Sequence, residues 1–366
     1  MIAGFNKILI VGLGLIGSSI AGALKSVDPK LLIFGKDSDE TVVDEAISRG
    51  LIEDCRSIDY ENLDLVILAS PLETFDYWFS ELTANSYEGI ITDVGSAKLP
   101  VVCEAKKSLK NSKNFIPGHP MAGREKGGLK SAKNDLFDGA YWILTPDEKT
   151  DIDAFRRLHE LITSIGARVI SVDAAEHDKL IAIVSHVPHV AASSLVMLAA
   201  SHSDQNGELF RLAAGGFKDT TRVAAGDPTL WRSILMSNSE LIADELSELK
   251  DIISRFEKSI RDGDEKEIEQ MLSEAAEARK SIPSKWVPES AELVEINVLM
   301  DNRPGIIAEI TAIAGRKACN IQAIDIDHQS ESNAILRLVL TDEGDIEGFL
   351  EALKQLLFDV EIVKKV

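Results

Sequence analysis

The chain has 366 residues, which is enough for two or three domains with hydrophobic cores of their own. Its formal net charge of −21 at pH 7 argues against a nucleic-acid surface, which needs basic residues. No stretch predicts a membrane span, and the three cysteines lack disulfide or metal-type spacing. We therefore expect a cytoplasmic protein with no nucleic acid, membrane or metal partner.

A glycine-rich turn near the N-terminus is the strongest local signal. A short apolar strand leads into Gly12, Gly14 and Gly17, the spacing of a dinucleotide-binding turn. Gly12 permits the bend, Gly14 lets backbone approach a pyrophosphate, and Gly17 lets the next helix pack on the strand. Leu15 and Ile16 would present unpaired N–H groups to the phosphates at the helix N-terminus. Because similar turns occur where nothing binds, the flanking sequence decides.

The flanking sequence favours NAD as the cofactor. A second apolar strand follows at residues 31–34, and Asp37 lies 20 residues after Gly17. An acidic side chain at that position accepts hydrogen bonds from the adenosine ribose and repels a 2′-phosphate. Lys36 beside it acts in the opposite direction, because a cation tolerates the extra phosphate of NADP. We predict NAD, and NADP is the alternative.

Strands and helices alternate over the first 170 residues or so, which predicts an α/β domain of the Rossmann type with a parallel sheet. The predicted strands are residues 63–69, 89–93, 114–117, 140–144 and 167–172, and the helices between them include 101–109 and 152–165. Ligands bind beyond the carboxyl ends of the strands in such sheets. Ser70, Pro71, Ser96 and the segment 118–120 would therefore line one crevice.

His119 lies among small and turn-forming residues in the segment 118–123, Gly-His-Pro-Met-Ala-Gly. A histidine held by rigid backbone near a nicotinamide is a natural acceptor for a substrate hydroxyl proton. We predict that His119 is the catalytic group and that Ser96 fixes its tautomer. The alternative is a loop histidine without a chemical role.

Residues 173–282 carry little strand signal and much helical periodicity, which predicts a second, all-helical domain. Asp227 followed by Pro228 is a helix start signal, an N-cap before a first-turn proline. Further on, apolar residues recur at spacings of four and three: Ile242, Leu246, Leu249, Ile253, Phe256 and Ile260. Such a seam packs within a bundle or across a homodimer, and both interpretations stay open.

Three histidines, His177, His186 and His189, lie on the first helical stretch of this domain, which Pro188 would kink. His186 and His189 share one face because they are three residues apart. Packed core histidines, a zinc site completed by a neighbouring carboxylate, and an anion-binding wall beside the nucleotide crevice are all compatible with this pattern. The shortage of further ligands at suitable spacing disfavours zinc.

Arg222 ends the segment 215–222, Gly-Gly-Phe-Lys-Asp-Thr-Thr-Arg, which begins at Gly215. Arginine presents a rigid, permanently charged fork to carboxylates, so Arg222 is the best candidate for binding an acidic substrate. Asp219 lies three residues away, and the two side chains could instead form a structural ion pair. Both interpretations hold together if Asp219 releases the arginine when substrate binds.

Two prolines between residues 283 and 288 indicate a linker to a third unit. Strand and helix signals beyond it follow the order βαββαβ, the ferredoxin-like arrangement. After its first strand, the segment 301–305, which includes Asn302, Pro304 and Gly305, would present backbone N–H groups at a helix N-terminus to the carboxylate of a small ligand, unless it forms a plain turn. The predicted domains are residues 1–172, 173–283 and 292–366, with a linker at 284–291.

Together these segments resemble the prephenate dehydrogenase family, which includes the arogenate dehydrogenases. The resemblance rests on five segments in order over nearly the whole chain: residues 11–19, 93–98, 118–123, 185–189 and 215–222. The C-terminal unit is similar to an ACT domain, a module that binds a regulatory amino acid. The expected fold is thus a Rossmann-like domain, a helical dimerisation domain and a ferredoxin-like α+β domain.

The resemblance implies oxidative decarboxylation of prephenate to 4-hydroxyphenylpyruvate, with NAD⁺ as the hydride acceptor and tyrosine as the expected effector. By this resemblance His119 accepts a hydrogen bond from the 4-hydroxyl, and Ser96 orients His119. Arg222 would bind a substrate carboxylate with Asp219 as its acidic partner, and His189 would steer the substrate side chain. His186 and Gly215 belong to the same matching segments and are included among the substrate-binding candidates.

Three alternatives to this function remain. Arg124 stands where family members often carry Thr or Ser, which keeps arogenate as an alternative substrate. A β-hydroxyacid-type dehydrogenase also joins a nucleotide domain to a helical one, but it uses a catalytic lysine where this chain has histidines. A non-enzymatic sensor of NAD and an amino acid would not need Ser96, His119 and Arg222 together.

Overall fold

The structure is a computed structural model that divides into two compact units, Met1–Ser254 and Arg255–Val366. It describes residues 3–54, 57–123, 127–202, 210, 212–281, 293–301, 303, 306–317, 319, 321–328, 333–341 and 344–365. Arg124, the predicted linker at 284–291 and the predicted effector residues Asn302, Pro304 and Gly305 lie outside the described residues.

The first unit begins with a part rich in strands, residues 3–171, which we call the sheet lobe. Its strands are β1 Lys7–Val11, β2 Leu32–Lys36, β3 Leu65–Leu68, β4 Ile90–Asp93, β5 Phe115–Ile116, β6 Gly118–Pro120, β7 Tyr141–Leu144 and β8 Arg168–Ser171. Its helices are α1 Leu15–Val27, α2 Glu40–Ser48, α3 Phe75–Ala84, α4 Leu99–Ser108 and α5 Ile152–Ser164.

Five parallel strands form the main sheet in the order β2-β1-β3-β4-β5, which confirms the predicted Rossmann-like fold. The central strands are buried on both faces because helices cover both sides of the sheet. Ile8 and Ile10 of β1 pack into one core, and Leu9 and Val11 pack into the core on the opposite face. The strand order reverses between β1 and β3, and ligands bind at such a switch point in doubly wound sheets.

The segment that carries His119 departs from the sequence prediction. It is not a loop beyond a parallel strand but the short strand β6 of a separate sheet, β6-β7-β8, in which β6 is antiparallel to β7. Pro117 separates β5 from β6, and proline cannot donate the hydrogen bond that would extend the parallel ladder. β7 and β8, which we expected in the parallel sheet, pair with each other in this second sheet.

Helices predominate among the described residues from 174 to 254, which we call the helical lobe. They are α6 Ala174–Ile181, α7 Val187–His202, α8 Gly215–Thr221, α9 Pro228–Ser237 and α10 Ser239–Asp262, which runs on into the second unit. Asp227 accepts hydrogen bonds from the N–H groups of Thr229 and Leu230, so the predicted start of α9 is confirmed. The predicted seam residues all lie on α10.

A π-helical turn, Ala182–His186, joins α6 to α7 directly before Pro188. Proline lacks an N–H group, and a π turn is a common way to absorb such a break in the helical ladder. The stretch Ala174–His202 is long enough to cross a membrane and contains an 18-residue window with a mean hydropathy of 1.7, although no membrane span was predicted from the sequence. Core helices of globular domains meet the same criterion, and His177, His186 and His189 of this stretch are buried against neighbouring elements.

The second unit contains the C-terminal domain. After α11 Glu265–Ser281 come β9 Leu293–Asp301, α12 Ile306–Arg316, β10 Ile321–His328, β11 Asn333–Thr341, α13 Ile346–Gln355 and β12 Asp359–Lys365. The antiparallel sheet has the order β10-β11-β9-β12, which confirms the predicted ferredoxin-like arrangement. Alternate residues of the central strands, such as Ile296 and Leu338, are fully buried against the two helices.

The glycine-rich turn is shaped by close backbone contacts. Gly12 has a φ of +93°, and a Cβ atom there would lie 2.5 Å from the carbonyl oxygen of Ala69. A Cβ atom on Gly17 would lie 1.9 Å from the carbonyl oxygen of Gly12. Gly14 differs from both, because a Cβ atom there meets nothing within 4 Å. Two of the glycines are therefore required by the fold, and the third leaves open space beside the turn.

We predict that Gly17→Ala lowers the free energy of unfolding by about 1–3 kcal/mol, because the added methyl group overlaps backbone. Gly14→Ala is the matched control, and its loss should stay below about 1 kcal/mol since the same group enters open space. Urea unfolding followed by circular dichroism measures both values. Equal losses in the two variants would contradict the assigned packing of α1 on β1.

Candidate active site

The N-terminus of α1 forms a cradle for an anionic group. Gly14 is the N-cap of α1 and contributes no side-chain hydrogen bond, so the first-turn N–H groups, those of Leu15 and Ile16 included, face the open side of the turn. Asp37 follows β2 directly, and its Oδ2 accepts a hydrogen bond of 2.7 Å from the N–H of Leu13. The open space, the helix N-terminus and the adjacent carboxylate fit a dinucleotide with its ribose on Asp37.

The ammonium group of Lys36, the residue before Asp37, contacts two aromatic side chains. Its Nζ donates a 3.1 Å hydrogen bond to the hydroxyl of Tyr60 and lies 5.5 and 5.4 Å from the ring centroids of Tyr60 and Trp78. These contacts engage the ammonium group with two aromatic side chains. The cation that favoured NADP in the sequence is therefore engaged elsewhere, and the geometry supports NAD.

A buried ion pair fixes the backbone next to His119. The Nζ of Lys98 donates to Oδ2 of Asp93 and, over 2.6 Å, to the carbonyl oxygen of Gly118. The other carboxylate oxygen of Asp93 accepts the Gly118 N–H at 3.1 Å. Both charged residues are fully buried, and burial raises the pKa of the Asp93 carboxyl although Lys98 opposes the shift. Both backbone polar groups of Gly118 are thereby held by hydrogen bonds. The backbone that leads into His119 is fixed as a result.

His119 joins the sheet lobe to the helical lobe. Its Nδ1 lies 2.9 Å from Nε2 of His177, whose Nδ1 lies 2.7 Å from Oδ1 of Asp178. The Asp178 carboxylate also accepts the backbone N–H groups of Lys98 and Leu99 at 2.7 and 2.8 Å, so it caps the N-terminus of α4. Burial and the positive charge of Lys98 hold the pKa of His119 well below its usual value, which keeps its imidazole neutral near pH 7.

The other two histidines of the helical lobe form a wall with Trp231. The ring of His189 stacks on Trp231 with 3.4 Å between centroids, and His186 meets the same indole edge-on at 6.3 Å. Burial lowers the pKa of His186 to about 4 and also lowers the pKa of His189, so both rings are neutral near pH 7. Within the described part of the chain, Nε2 of His186 and Nδ1 of His189 are buried without a hydrogen-bond partner. Such orphaned nitrogens indicate a site for a polar ligand.

Arg222 lies close to this wall in the fold. It begins the turn Arg222–Ala225, which packs on α7, the helix that carries His189. The turn ends at Gly226, where a Cβ atom would lie 2.5 Å from the Trp231 indole nitrogen and 3.4 Å from His189. The Arg222 side chain is exposed, as are Asp219 and Gly215 on α8. Arg222, the predicted carboxylate-binding residue, thus lies on the same side of the helical lobe as His189, whose ring stacks on Trp231.

The loop after β3 also reaches the helical lobe. Ser70 and Pro71 begin this loop, and the Ser70 hydroxyl lies 2.8 Å from the Thr74 hydroxyl. Glu73 accepts a hydrogen bond from Ser233 of α9, and this bond lowers the pKa of the Glu73 carboxyl. The edge of the sheet where the loop begins therefore faces α9, the helix that carries Trp231.

Some of the predicted site residues belong to one hydrogen-bond network in the structure. This network also contains residues that were not predicted to take part. His119 is linked to the helical lobe, but its Nδ1 partner is His177, which the sequence analysis treated only as one of three helix histidines. Ser96 is half-buried, and its hydroxyl makes no hydrogen bond to a residue that the structure describes, so its predicted control of the His119 tautomer is not seen. Lys98 was also missed as a contributor, although it lies in the recognised segment 93–98.

The zinc interpretation has no support in the geometry. In the described ranges, no three His, Cys, Asp or Glu side chains are placed to hold a metal ion. Asp178, the neighbouring carboxylate, is already engaged by His177 and by two backbone N–H groups of the α4 N-terminus. The arrangement instead offers a neutral buried imidazole, a dinucleotide cradle and a polar wall, the parts of a hydride-transfer site.

Family comparisons match all three parts of the chain. The nucleotide-binding domain of prephenate dehydrogenase matches residues 20–171, and the dimerization domain of the same enzyme matches residues 173–274. An ACT domain matches residues 294–358. The prephenate dehydrogenase of Bacillus subtilis is 36% identical over 349 residues, which cover 93% of each chain. That of Lactococcus lactis is 37% identical over 76% of this chain and 77% of its own.

Solved structures are similar over about three quarters of the chain. The Aquifex aeolicus prephenate dehydrogenase, solved with hydroxyphenyl propionate and NAD⁺, has a TM-score of 0.71 and 32% identity, covering 76% of this chain and 99% of its own. The Synechocystis arogenate dehydrogenase has a TM-score of 0.65 and 27% identity, with coverage of 76% and 100%. The chain therefore belongs to the prephenate dehydrogenase family of oxidoreductases.

Proposed function

We propose that this protein catalyses the NAD-dependent oxidative decarboxylation of prephenate to 4-hydroxyphenylpyruvate, as a cytoplasmic enzyme of tyrosine biosynthesis. The observation that carries the proposal is His119, a buried neutral imidazole held by the sheet lobe and hydrogen-bonded to the helical lobe. A neutral ring nitrogen in that position accepts the hydrogen bond of a substrate hydroxyl. The relatives named prephenate dehydrogenase support the same reaction.

The cofactor cradle defines what NAD would contact. The bound nicotinamide supplies a hydride acceptor. The pyrophosphate would lie on the first turn of α1, at Gly12, Gly14, Leu15, Ile16 and Gly17. Asp37 would hold the adenosine ribose, and Ser70 and Pro71 would lie along the nicotinamide side of the crevice.

The substrate would lie between His119 and the helical wall. His189 and His186 offer unpartnered ring nitrogens to its polar side chain. Arg222 would bind a carboxylate, with Asp219 as its acidic partner and Gly215 at the start of the same segment. Ser96 borders the crevice after β4 and would contact the hydroxyl end of the substrate. Side chains of this chain would then bind both charged ends of the substrate.

Arogenate is the second candidate substrate. It differs from prephenate by an amino group in place of the side-chain keto group, and the relatives include a Synechocystis arogenate dehydrogenase. Neutral imidazoles at His186 and His189 accept a hydrogen bond from an ammonium group as readily as they donate one to a keto oxygen. The same wall therefore suits both side chains.

The ACT domain would bind a regulatory amino acid, and we propose tyrosine, the end product of the pathway. The proposed ligand contacts are Asn302, Pro304 and Gly305, between β9 and α12. Backbone N–H groups at a helix start suit the carboxylate of an amino acid.

Homodimerisation through the helical lobe is the second part of the proposal. Several large apolar side chains of this lobe are exposed, among them Val184, Met197, Leu198, Met236 and Ile253. Exposed apolar side chains in such number favour an interaction surface on this lobe. The matched dimerization domain supports a second copy of the chain as that partner.

The first prediction concerns the overall reaction. Purified protein given prephenate and NAD⁺ should produce NADH, measured by its absorbance, and tyrosine should inhibit the reaction. NADP⁺ should serve poorly because Asp37 repels its 2′-phosphate. A parallel assay with arogenate ranks the two substrates. If neither substrate yields NADH, the proposed function is wrong.

The second prediction concerns His119. His119→Asn should lower kcat by about 10²–10⁴-fold and change KM little, because its hydrogen bond strengthens mainly in the transition state. Steady-state kinetics with prephenate measure both constants. His202→Asn, at the exposed end of α7, is the matched control and should retain the original kcat. A loss of less than about threefold in His119→Asn would show that this imidazole is not the acceptor.

The third prediction concerns Arg222. Arg222→Ala should raise KM for prephenate by about 10- to 100-fold, because it removes a charged hydrogen-bond partner of the substrate. Arg222→Lys should fall between that variant and the original protein, since it keeps the charge and loses the fork. Arg156→Ala, on the exposed surface of α5, is the control. An unchanged KM in Arg222→Ala would place the substrate carboxylate elsewhere.

A further inference from the structure

A chain of buried polar groups extends from His119 into the helical lobe. Nδ1 of His119 contacts Nε2 of His177, and Nδ1 of His177 contacts the Asp178 carboxylate, at 2.9 and 2.7 Å. His177 and Asp178 are 0% and 1% exposed, so water does not compete for these hydrogen bonds. The family and structure comparisons assign no role to either residue.

The direction of every hydrogen bond in this chain follows from its carboxylate end. Asp178 accepts two backbone N–H groups, at the first residues of α4, and an ionised carboxylate only accepts. Nδ1 of His177 must therefore donate to it, which leaves a lone pair on Nε2 of the neutral His177 ring. That lone pair accepts the Nδ1–H of His119. Nε2 of His119 is then the unprotonated nitrogen and is free to accept a hydrogen bond from a hydroxyl.

The surroundings of His119 disfavour the protonated form of its ring unless another group stabilises the positive charge. Burial lowers the pKa of His119 most, and the nearby positive charge of Lys98 lowers it further. The carboxylate of Asp178 lies one imidazole farther away. A positive charge that moves from His119 to His177 would come into direct contact with this carboxylate.

We propose that His177 and Asp178 are positioning residues that fix the tautomer of His119 and share the proton that His119 takes from the substrate hydroxyl. The inference rests on the proposed function and deepens it. It also replaces Ser96 as the group that sets the tautomer. The site thus contains a two-imidazole relay that ends on a buried carboxylate.

The relay returns to the product the proton that it takes from the substrate. As the hydride leaves ring carbon 4 for NAD⁺, the hydroxyl O–H bond breaks and a bond from that proton to Nε2 of His119 forms. The Nδ1–H bond of His119 breaks as Nε2 of His177 takes that proton, and the charge then faces Asp178. Loss of carbon dioxide leaves its bonding electron pair in the ring, which becomes a phenolate. The phenolate oxygen takes the proton back through the same two rings, so no net proton is released.

A purely structural role for Asp178 is the competing explanation. The residue caps α4, and its backbone carbonyl oxygen accepts a 2.8 Å hydrogen bond from the side chain of Asn238, so it also helps to join the lobes. A structural role predicts losses of stability, whereas the relay predicts a change in which His119 nitrogen carries the proton. The test must therefore read the protonation of the ring directly.

Asp178→Asn is the decisive variant. Its amide oxygen can still accept the Leu99 N–H in the place of Oδ2, and its NH₂ group in the place of Oδ1 would donate to Nδ1 of His177 and reverse both tautomers, at the loss of the bond from the Lys98 N–H. We expect kcat to fall by about 10²–10⁴-fold with little change in KM, because Nε2 of His119 then carries a proton in the resting state. Asp173→Asn is the matched control, since Asp173 caps α6 in the same way and contacts no imidazole.

Nitrogen-15 NMR of the full-length protein labelled in its seven histidines gives a readout that is independent of turnover. The His119 signals are identified by their loss in His119→Asn. In the original protein and in Asp173→Asn, Nδ1 should be protonated and Nε2 unprotonated at pH 7. In Asp178→Asn the pattern should invert.

His177→Gln covers the case in which Asp178→Asn does not fold. The Gln amide can accept from His119 through its oxygen and donate to Asp178 through its nitrogen, so the tautomer should be kept while proton sharing is lost. We expect a fall in kcat of tenfold or more, smaller than in Asp178→Asn. An Nε2-protonated His119 in the original protein, or kcat within threefold of the original in the folded variants, would overturn the relay. A wild-type protein that shows the expected tautomer but does not oxidise prephenate would contradict the proposed function instead.

Discussion

One carboxylate connects the two halves of the site. Asp178 belongs to the helical lobe, yet it accepts the backbone N–H groups that begin α4 in the sheet lobe. The adjacent His177 contacts His119 on β6. Because a buried carboxylate is stable only when its oxygens are satisfied, these bonds hold each other in place. The same set of contacts therefore positions the two lobes and orients the imidazole of His119.

The buried Asp93–Lys98 pair complements this junction. It fixes both polar groups of Gly118, so the backbone before His119 has little freedom, and its lysine adds to the positive surroundings that keep His119 neutral. A neutral imidazole is needed to accept a hydroxyl proton, and a carboxylate one residue farther along the relay is needed to stabilise the charge that follows. Burial, which is costly for each ion alone, thereby prepares the site for a short-lived positive charge.

The sequence was sufficient for features that depend on local spacing. The glycine turn, the Asp227 cap and the βαββαβ order follow from neighbouring residues, and each was predicted correctly. The β6-β7-β8 sheet was not predicted, because its strands have only three or four residues and Pro117 separates it from a run that reads as parallel. His177 was missed as the partner of His119 because 58 residues separate them, and only the fold brings the two rings together. The stacking of His189 on Trp231 was missed for the same reason.

A crystal structure of this chain with NAD⁺ and hydroxyphenyl propionate, the two ligands present in the Aquifex aeolicus structure, tests the assembled site most directly. The phenol oxygen should lie within hydrogen-bond distance of Nε2 of His119, about 2.6–3.2 Å, while the ligand carboxylate contacts Arg222. A ligand whose phenol oxygen lies away from His119, or side chains of His119 and Arg222 that open into separate cavities, would contradict the site described above.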